Sequence, residues 1–483
     1  MLRVLFIFAH FLGVLSLTFV LPALAASMAG EPELVTSFVI TGVLGLFVSG
    51  SLVLGLRGRE QRLKRHERYL LAALLFIGLP IFAAIPIGLS VPQTAPIDAY
   101  FEAVSALTTT GSSVLPRNEQ LPVAILFWRC FLQWMGGGLS LLVAVLLLGP
   151  AGVGGLPPTN MRIAEHGRVS EQSRLYETLS RLLPVYFFAT LLCFGALVMT
   201  GTPSFDALGL SFAALSTGGF IIRSTDFVEY VPLGSTWIFT IFMLFGATNI
   251  LWQRAVAERR WNIVRANHET AWLFALAAGL GLIIAGNLFR LGGDSLLRSL
   301  TDGFFTAASL ISTTGVESRT GSFGVLPITA LLIILIVGGG AFSTAGGIKL
   351  FRFGAMIVQA YRELNRLVYP HGVRRARFGS QPYDMQMMKA IWSAMTVSLM
   401  LICIVIGVLT AEHFGFEDAV VLTVATLSNA GTAYQPSVID TGDFTPIAAL
   451  SPLAKFTLCA LMVLGRLEIL ALASLLRVST WRR

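Results

Sequence analysis

The sequence predicts an all-α polytopic membrane protein. Four pseudo-symmetric helix–pore-loop–helix repeats surround one central pore, and two further transmembrane helices precede them. Three observations predict this. The 483 residues are 55% hydrophobic and only 12% charged, with a mean hydropathy of +0.76, against about a quarter charged in an average soluble domain. A short apolar segment ending in hydroxyls and a glycine recurs four times in one register. Basic residues gather in alternate loops.

The recurring segments are Asp98 to Val114 (DAYFEAVSALTTTGSSV), Asp206 to Phe220 (DALGLSFAALSTGGF), Asp302 to Val316 (DGFFTAASLISTTGV) and Asp418 to Thr432 (DAVVLTVATLSNAGT). In each, an aspartate precedes a glycine by the same interval: 111 − 98, 219 − 206, 315 − 302 and 431 − 418 all equal 13. Three residues before the glycine stand Thr108, Ser216, Ser312 and Ser428, and two before it stand Thr109, Thr217, Thr313 and Asn429. A helix of about ten residues fits between, roughly 15 Å long. That is half a bilayer, so each segment dips in and returns. In the second copy two glycines adjoin, and the aspartate interval selects Gly219 over Gly218.

Ten apolar runs long enough to span lie near 4–24, 34–56, 69–91, 121–149, 182–200, 231–252, 271–289, 325–351, 387–410 and 447–476. The short loop after the second carries Arg57, Arg59, Arg62, Lys64, Arg65 and Arg68 and marks the cytoplasmic side. Arg162, Arg168, Arg174 and Arg181, then Arg254, Arg259, Arg260 and Arg265, then Arg352, Arg362, Arg366, Arg374, Arg375 and Arg377 fall on that side by alternation, as do Arg477, Arg482 and Arg483. The four half-length segments fall opposite, with Glu102, Asp226, Glu229, Glu317, Glu412 and Glu417. The formal charge of +8 is therefore a signal of topology and does not point to nucleic acid.

Arg3, an apolar run and ALAAS at 23–27 resemble a secretory signal. The run exceeds the usual 7–15 residues of a signal core, and a retained helix is expected. From residue 69 the unit span, half-length segment, span occurs four times. The expected organisation is two extra helices in 1–66, then repeats at 67–160, 161–265, 266–378 and 379–483. Internal repetition of this kind places a transport site at the repeat interface near mid-membrane. Cys130, Cys193, Cys403 and Cys459 lie in apolar stretches without CxxC or Cys/His spacing and read as small core residues.

Non-helical backbone survives at membrane depth only when buried in protein or lining a water-filled cavity. Glycine lets consecutive carbonyls turn toward an ion and replace its water. Each short helix aims the negative end of its dipole at the same place, which favours a cation. Asp98, Asp206, Asp302 and Asp418, at the other ends, suit helix N-termini better than ion ligation.

The segments SALTTTGSSV, LSTGGF, ISTTG and LSNAG, together with GGGAFSTAGGIK at 338–349 and GRLEIL at 465–470, resemble the TrkH branch of the Trk/Ktr/HKT potassium transporters. The resemblance runs from about residue 69 to the end, and the two leading spans suit TrkH and TrkG better than the shorter Ktr subunits. It implies potassium uptake across a bacterial inner membrane, with both termini cytoplasmic. The implied ion-binding filter is lined by Thr110, Gly111, Gly218, Gly219, Thr314, Gly315, Ala430 and Gly431, and includes Thr109, Thr217, Thr313 and Asn429. In that family a serine in place of the first filter glycine accompanies sodium preference, so Gly111 implies potassium. The fourth segment, NAGTAY, lacks the glycine expected two residues after Gly431, so its outer rim is expected to differ.

Two full spans are interrupted. Gly338, Gly339, Gly340, Ser343, Thr344, Gly346 and Gly347 lie within the eighth. Glycine costs about 1 kcal/mol per residue relative to alanine inside a helix, so this span is expected to unwind. The tenth carries Arg466 and Glu468, on different faces. An ionised group at the helix centre costs at least about 2.5–3.5 kcal/mol unless it meets water or a partner. The resemblance makes 338–347 an intramembrane gate below the filter and Arg466 an electrostatic barrier beside it. Arg129 and Gln133, in FWRCFLQWMGGG, have open roles: Arg129 at the outer interface, Gln133 as a bridge between helices.

A sodium- or proton-coupled symporter would use the same filter. A membrane-embedded enzyme is the other alternative, but His10, His66, His166, His268, His371 and His413 are scattered without HExxH-like spacing. No resident cofactor is expected; K+ is the cargo, and membrane lipid surrounds the chain. The cytoplasmic loops at 150–181 and 352–385 mix charges of both signs. The resemblance implies that a cytosolic TrkA-type ring of nucleotide-binding domains docks there, and that the chain is a homodimer.

Overall fold

The computed structural model describes residues 1–58, 63–91, 94–148, 171–292, 295–368, 377–378, 381–382, 385–434 and 444–467. Glu468, Arg162, Arg168, Arg374, Arg375, Arg477, Arg482 and Arg483 lie outside them. The protein is an integral membrane protein; its described residues are almost wholly helical, with one pair of two-residue strands among them, Arg377–Phe378 and Gln381–Pro382.

Helices α1 (Leu2–Thr18) and α2 (Val20–Ala29) form one span that ends at Gly30 in the left-handed conformation. Helix α3 (Pro32–Gly55) returns, started by Pro32 at its first turn. These helices pack onto the body through Phe19, whose ring lies 4.7 Å from that of Trp128. Trp128 is fully buried, and its Nε1 donates to the Ala83 carbonyl at 3.1 Å.

The first repeat is α4 (Arg65–Ser90), α5 (Pro96–Leu107) and α6 (Val123–Leu142). The second is α7 (Glu171–Met199), α8 (Ser204–Ser216), a single turn α9 (Phe227–Tyr230) and α10 (Leu233–Gly246), followed by α11 (Ile250–Ala257) and α12 (Trp261–Ala266). The third is α13 (His268–Gly292), α14 (Leu296–Ile311), α15 (Ile328–Val337) and α16 (Leu350–Val368). The fourth is α17 (Met385–Ala411), α18 (Phe416–Leu427) and α19 (Pro452–Leu467).

Among the described residues seven helices are long and apolar enough to cross a membrane, eight if a bent pair counts as one span. The remaining two of the ten expected spans are α15, which stops after ten residues, and α19, described only to Leu467. The bent pair is α10 and α11, which meet at 112°. The single span expected over 231–252 is therefore broken in two. The chain stops at Gly246 and restarts at Asn249, whose side chain caps the new helix by accepting from Leu251 N at 2.9 Å.

A proline opens the second span of every repeat: Pro122, Pro232 and Pro327 just before the helix, and Pro452 at its first position. Its fixed φ and missing N–H suit that place. The four short helices α5, α8, α14 and α18 lie inside the ring of spans, and their C-terminal halves are almost entirely buried.

Candidate ion pathway

The short helices end at one kind of turn. Thr109, Thr217, Thr313 and Asn429 have φ of 52°, 53°, 59° and 50°. A left-handed residue other than glycine costs roughly 1–2 kcal/mol, and a β-branched one there is an outlier. Three of the four are threonines, and all are fully buried. Strain of this kind persists only where the surroundings over-determine it, and it gathers at functional sites.

Two residues on, Gly111, Gly219 and Gly315 have φ of 79°, 79° and 70°. Gly218 does not share this conformation, so the backbone agrees with the aspartate interval in matching Gly219 to Gly111. The fourth copy departs. Gly431 is outside the positive-φ set and opens a 3-10 turn, Gly431–Ala433.

These four walls adjoin one another in a closed cycle, through backbone at two junctions and side chains at the other two. A Cβ on Gly111 would strike the Gly218 carbonyl, one on Gly219 the Thr314 carbonyl, one on Gly315 the Thr432 side chain, and one on Gly431 the Ser112 side chain. Hydrogen bonds tie the fourth wall to its neighbours: Gly431 N donates to Thr110 O at 2.7 Å and Thr432 Oγ1 to Thr314 O at 2.7 Å. Hydroxyl pairs brace the first and third walls from within, Thr108 Oγ1 with Thr110 Oγ1 at 2.8 Å and Ser312 Oγ with Thr314 Oγ1 at 2.7 Å. Asn429 Nδ2 joins the first pair by donating to Thr110 Oγ1 at 2.9 Å.

The four aspartates do not cap their helices. Asp98, Asp206 and Asp418 sit in first turns without a side-chain capping bond, and Asp302 lies well inside α14, which starts earlier, at Leu296. Three of them pair with cations: Asp98 with Lys455 at 2.6 Å, Asp206 with Arg223 at 2.7 Å and Asp302 with Arg319 at 3.0 Å. Asp418 accepts from Thr445 N at 3.2 Å.

After Val337 the chain leaves the helix and re-enters one at Leu350. Gly338 and Gly347, with φ of 64° and 76°, lie backbone against backbone at the neck of this loop; a Cβ on Gly347 would come within 2.7 Å of Gly338 Cα. Ile348 N to Ile336 O (2.8 Å) and Leu350 N to Gly339 O (2.9 Å) close the neck.

The loop bonds three of the four walls, and Arg466 links it to the remaining one. Thr344 Oγ1 is 2.9 Å from both the Leu215 and Gly246 carbonyls in the second repeat. Gly346 N donates to Thr313 Oγ1 in the third at 2.6 Å, and Gly347 N to Ser428 O in the fourth at 3.2 Å. Arg466 completes the set. Its guanidinium donates to the Thr344 carbonyl of the loop, and to the carbonyl of Thr108 and the hydroxyl of Thr109 in the first wall. A cavity of about 60 Å³ adjoins the loop, lined in part by Phe342, Ser343, Lys349, Arg352 and Arg466.

A family model described as "TrkH: Cation transport protein" matches residues 35–276 and 298–480. The chain belongs to the TrkH family. It is 31% identical to the Trk system potassium uptake protein TrkH of Halomonas elongata, covering 97% of this chain and 96% of that protein. It is 25% identical to the Trk system potassium uptake protein TrkG of Escherichia coli over 96% and 95%. Among solved structures it is similar to the crystal structure of the potassium transporter TrkH from Vibrio parahaemolyticus, with a TM-score of 0.86 and 28% identity over 100% of this chain and 99% of that one.

Membership of the TrkH family fits all four repeats, yet three residues at the pathway were not singled out from sequence. Glu269, at the start of α13, is buried and accepts from the loop's Ala341 N at 2.7 Å. Ala247 O accepts from Gly340 N at 2.9 Å, and Ile250 N donates to Phe342 O at 3.0 Å, so the break between α10 and α11 also holds the loop. The signal available was the Gly-Ala-Thr-Asn run at 246–249 inside an apolar span. Of the two residues whose roles stood open, Arg129 lies 3.7 Å from Glu102 with both side chains buried, and Gln133 bonds Phe220.

Proposed function

We propose that the protein carries potassium into the cell across the bacterial inner membrane as the channel-like subunit of a Trk system. The observation that carries this reading is the closed cycle of four walls, each led in by a buried residue held at positive φ. Strained backbone at four matched places serves a site whose carbonyls must be presented at one distance from an axis. The similarity to proteins named for potassium uptake supplies the cargo. The filter is Thr109 to Gly111, Thr217 to Gly219, Thr313 to Gly315 and Asn429 to Gly431. The gate is the loop from Gly338 to Gly347 with Arg466.

The repeats run over 67–160, 161–265, 266–378 and 379–483 after a leading pair of helices in 1–66, with both termini cytoplasmic. The chain works as a homodimer on a cytosolic TrkA-type ring that gates it. Flux of potassium, rubidium and sodium into liposomes tests the reading: wild type favours potassium, and Gly111→Ser loses that preference. Unchanged discrimination in Gly111→Ser refutes the filter assignment.

A further inference from the structure

Helix α6 turns Arg129, Cys130 and Gln133 toward the backbone that leaves the second wall. Gln133 is fully buried. Its Nε2 donates to the Phe220 carbonyl at 2.7 Å, and its Oε1 accepts from Phe220 N at 3.0 Å. One primary amide thus satisfies both main-chain groups of a single residue, and only this orientation of the amide does so. Phe220 directly follows Gly219. The same side chain stands behind Gly218, where a Cβ would come within 3.1 Å of Gln133 Cδ. The Phe220 ring lies under the Arg129 guanidinium, 4.2 Å from its centroid.

The third wall shows what this brace replaces. Seven residues after its aspartate stands Ser309, whose Oγ donates to the carbonyl of Val316, the residue after Gly315, at 2.6 Å. The matching position in the second repeat is Ala213, which has no hydroxyl to give. The support that the third wall draws from its own pore helix, the second draws from the neighbouring repeat.

We propose that Gln133 is a specificity-determining positioning residue: its amide holds Phe220, and through it Gly218 and Gly219, at the distance from the pore axis that suits a dehydrated potassium-sized cation over sodium. This rests on the filter reading above. A filter that discriminates by cavity size or by the field of its carbonyls needs its backbone held against thermal displacement. A buried amide that meets both main-chain groups resists inward and outward motion alike.

Full-length wild type, Gln133→Leu, Gln133→Met and Gly111→Ser, each reconstituted in liposomes, are compared by their potassium-to-sodium flux ratio. Leucine and methionine keep most of the volume and lose both bonds. The expected result is a ratio lowered about tenfold in Gln133→Leu, what one net hydrogen bond of differential support is worth, with a similar fall in Gln133→Met. A merely structural role lowers yield and total flux and leaves the ratio alone, and that outcome overturns the proposal. If Gln133→Leu is not recovered as a monodisperse protein, an unchanged ratio in Gln133→Met overturns it equally. A lost ratio in Gly111→Ser beside an intact ratio in the Gln133 variants rejects the brace and leaves the filter standing. An intact ratio in Gly111→Ser removes both.

Discussion

Arg466 and Thr344 lie 122 residues apart in sequence and are joined by a hydrogen bond from the guanidinium to the Thr344 carbonyl. The same guanidinium reaches Thr108 and Thr109 in the first wall. It therefore fastens the loop to the wall and sets a positive charge at the point of contact.

Arg466→Ala removes both the fastening and the charge, and potassium flux in liposomes should rise several-fold while size-exclusion behaviour stays that of wild type. Arg466→Lys keeps the charge but not the planar fork that spans three acceptors, and should fall between. Wild-type flux in the alanine variant would show that Arg466 bars nothing.

Glu269 holds the loop from the other side. Glu269→Leu leaves the buried Ala341 N–H without its acceptor, at a cost of about 1–3 kcal/mol. Flux in the absence of any cytosolic regulator should then increase. Glu269→Gln retains an acceptor and should stay close to wild type; equal leak in both variants would assign the effect to charge and not to the bond.

Gly219→Ala places a methyl at φ +79° and against the Thr314 carbonyl. Potassium flux should be lost. Gly407→Ala, on α17, is the matched control, because nothing lies within 4 Å of the added carbon. It should leave flux intact and not lower thermal stability, since alanine is the better helix former by about 1 kcal/mol.

The Asp98 and Lys455 side chains are 21% and 7% exposed and 2.6 Å apart. Removing one partner of a fully buried pair strands the other at about 3–5 kcal/mol, and the partial exposure of Asp98 puts this pair below that range. Asp98→Asn and Lys455→Met should each lower the melting temperature in detergent, and the double variant should lie above the worse single one. Additive losses would mean that the two groups do not interact.

The four walls were legible in the sequence because they repeat. An interval of 13 residues, four times over, gives the register and even selects Gly219. The unwinding after Val337 was legible because seven small residues crowd one span. The departure of the aspartates from capping was not, because Lys455, Arg223 and Arg319 approach them through tertiary folding. Nor was the break at 246–249, where one asparagine cap outweighs an otherwise continuous apolar run. Glu269 belongs to no motif in the sequence, and its bond to Ala341 N exists only once the loop is packed against α13.

The fourth wall, with Gly431 in a 3-10 turn and Asn429 where the others have threonine, makes the ring unequal. In a pore assembled from identical subunits, one altered codon changes every wall at once. Here each wall is spelled separately in one gene, so selection can adjust the opening a quarter at a time, and a change too severe for a symmetric ring remains open to this one.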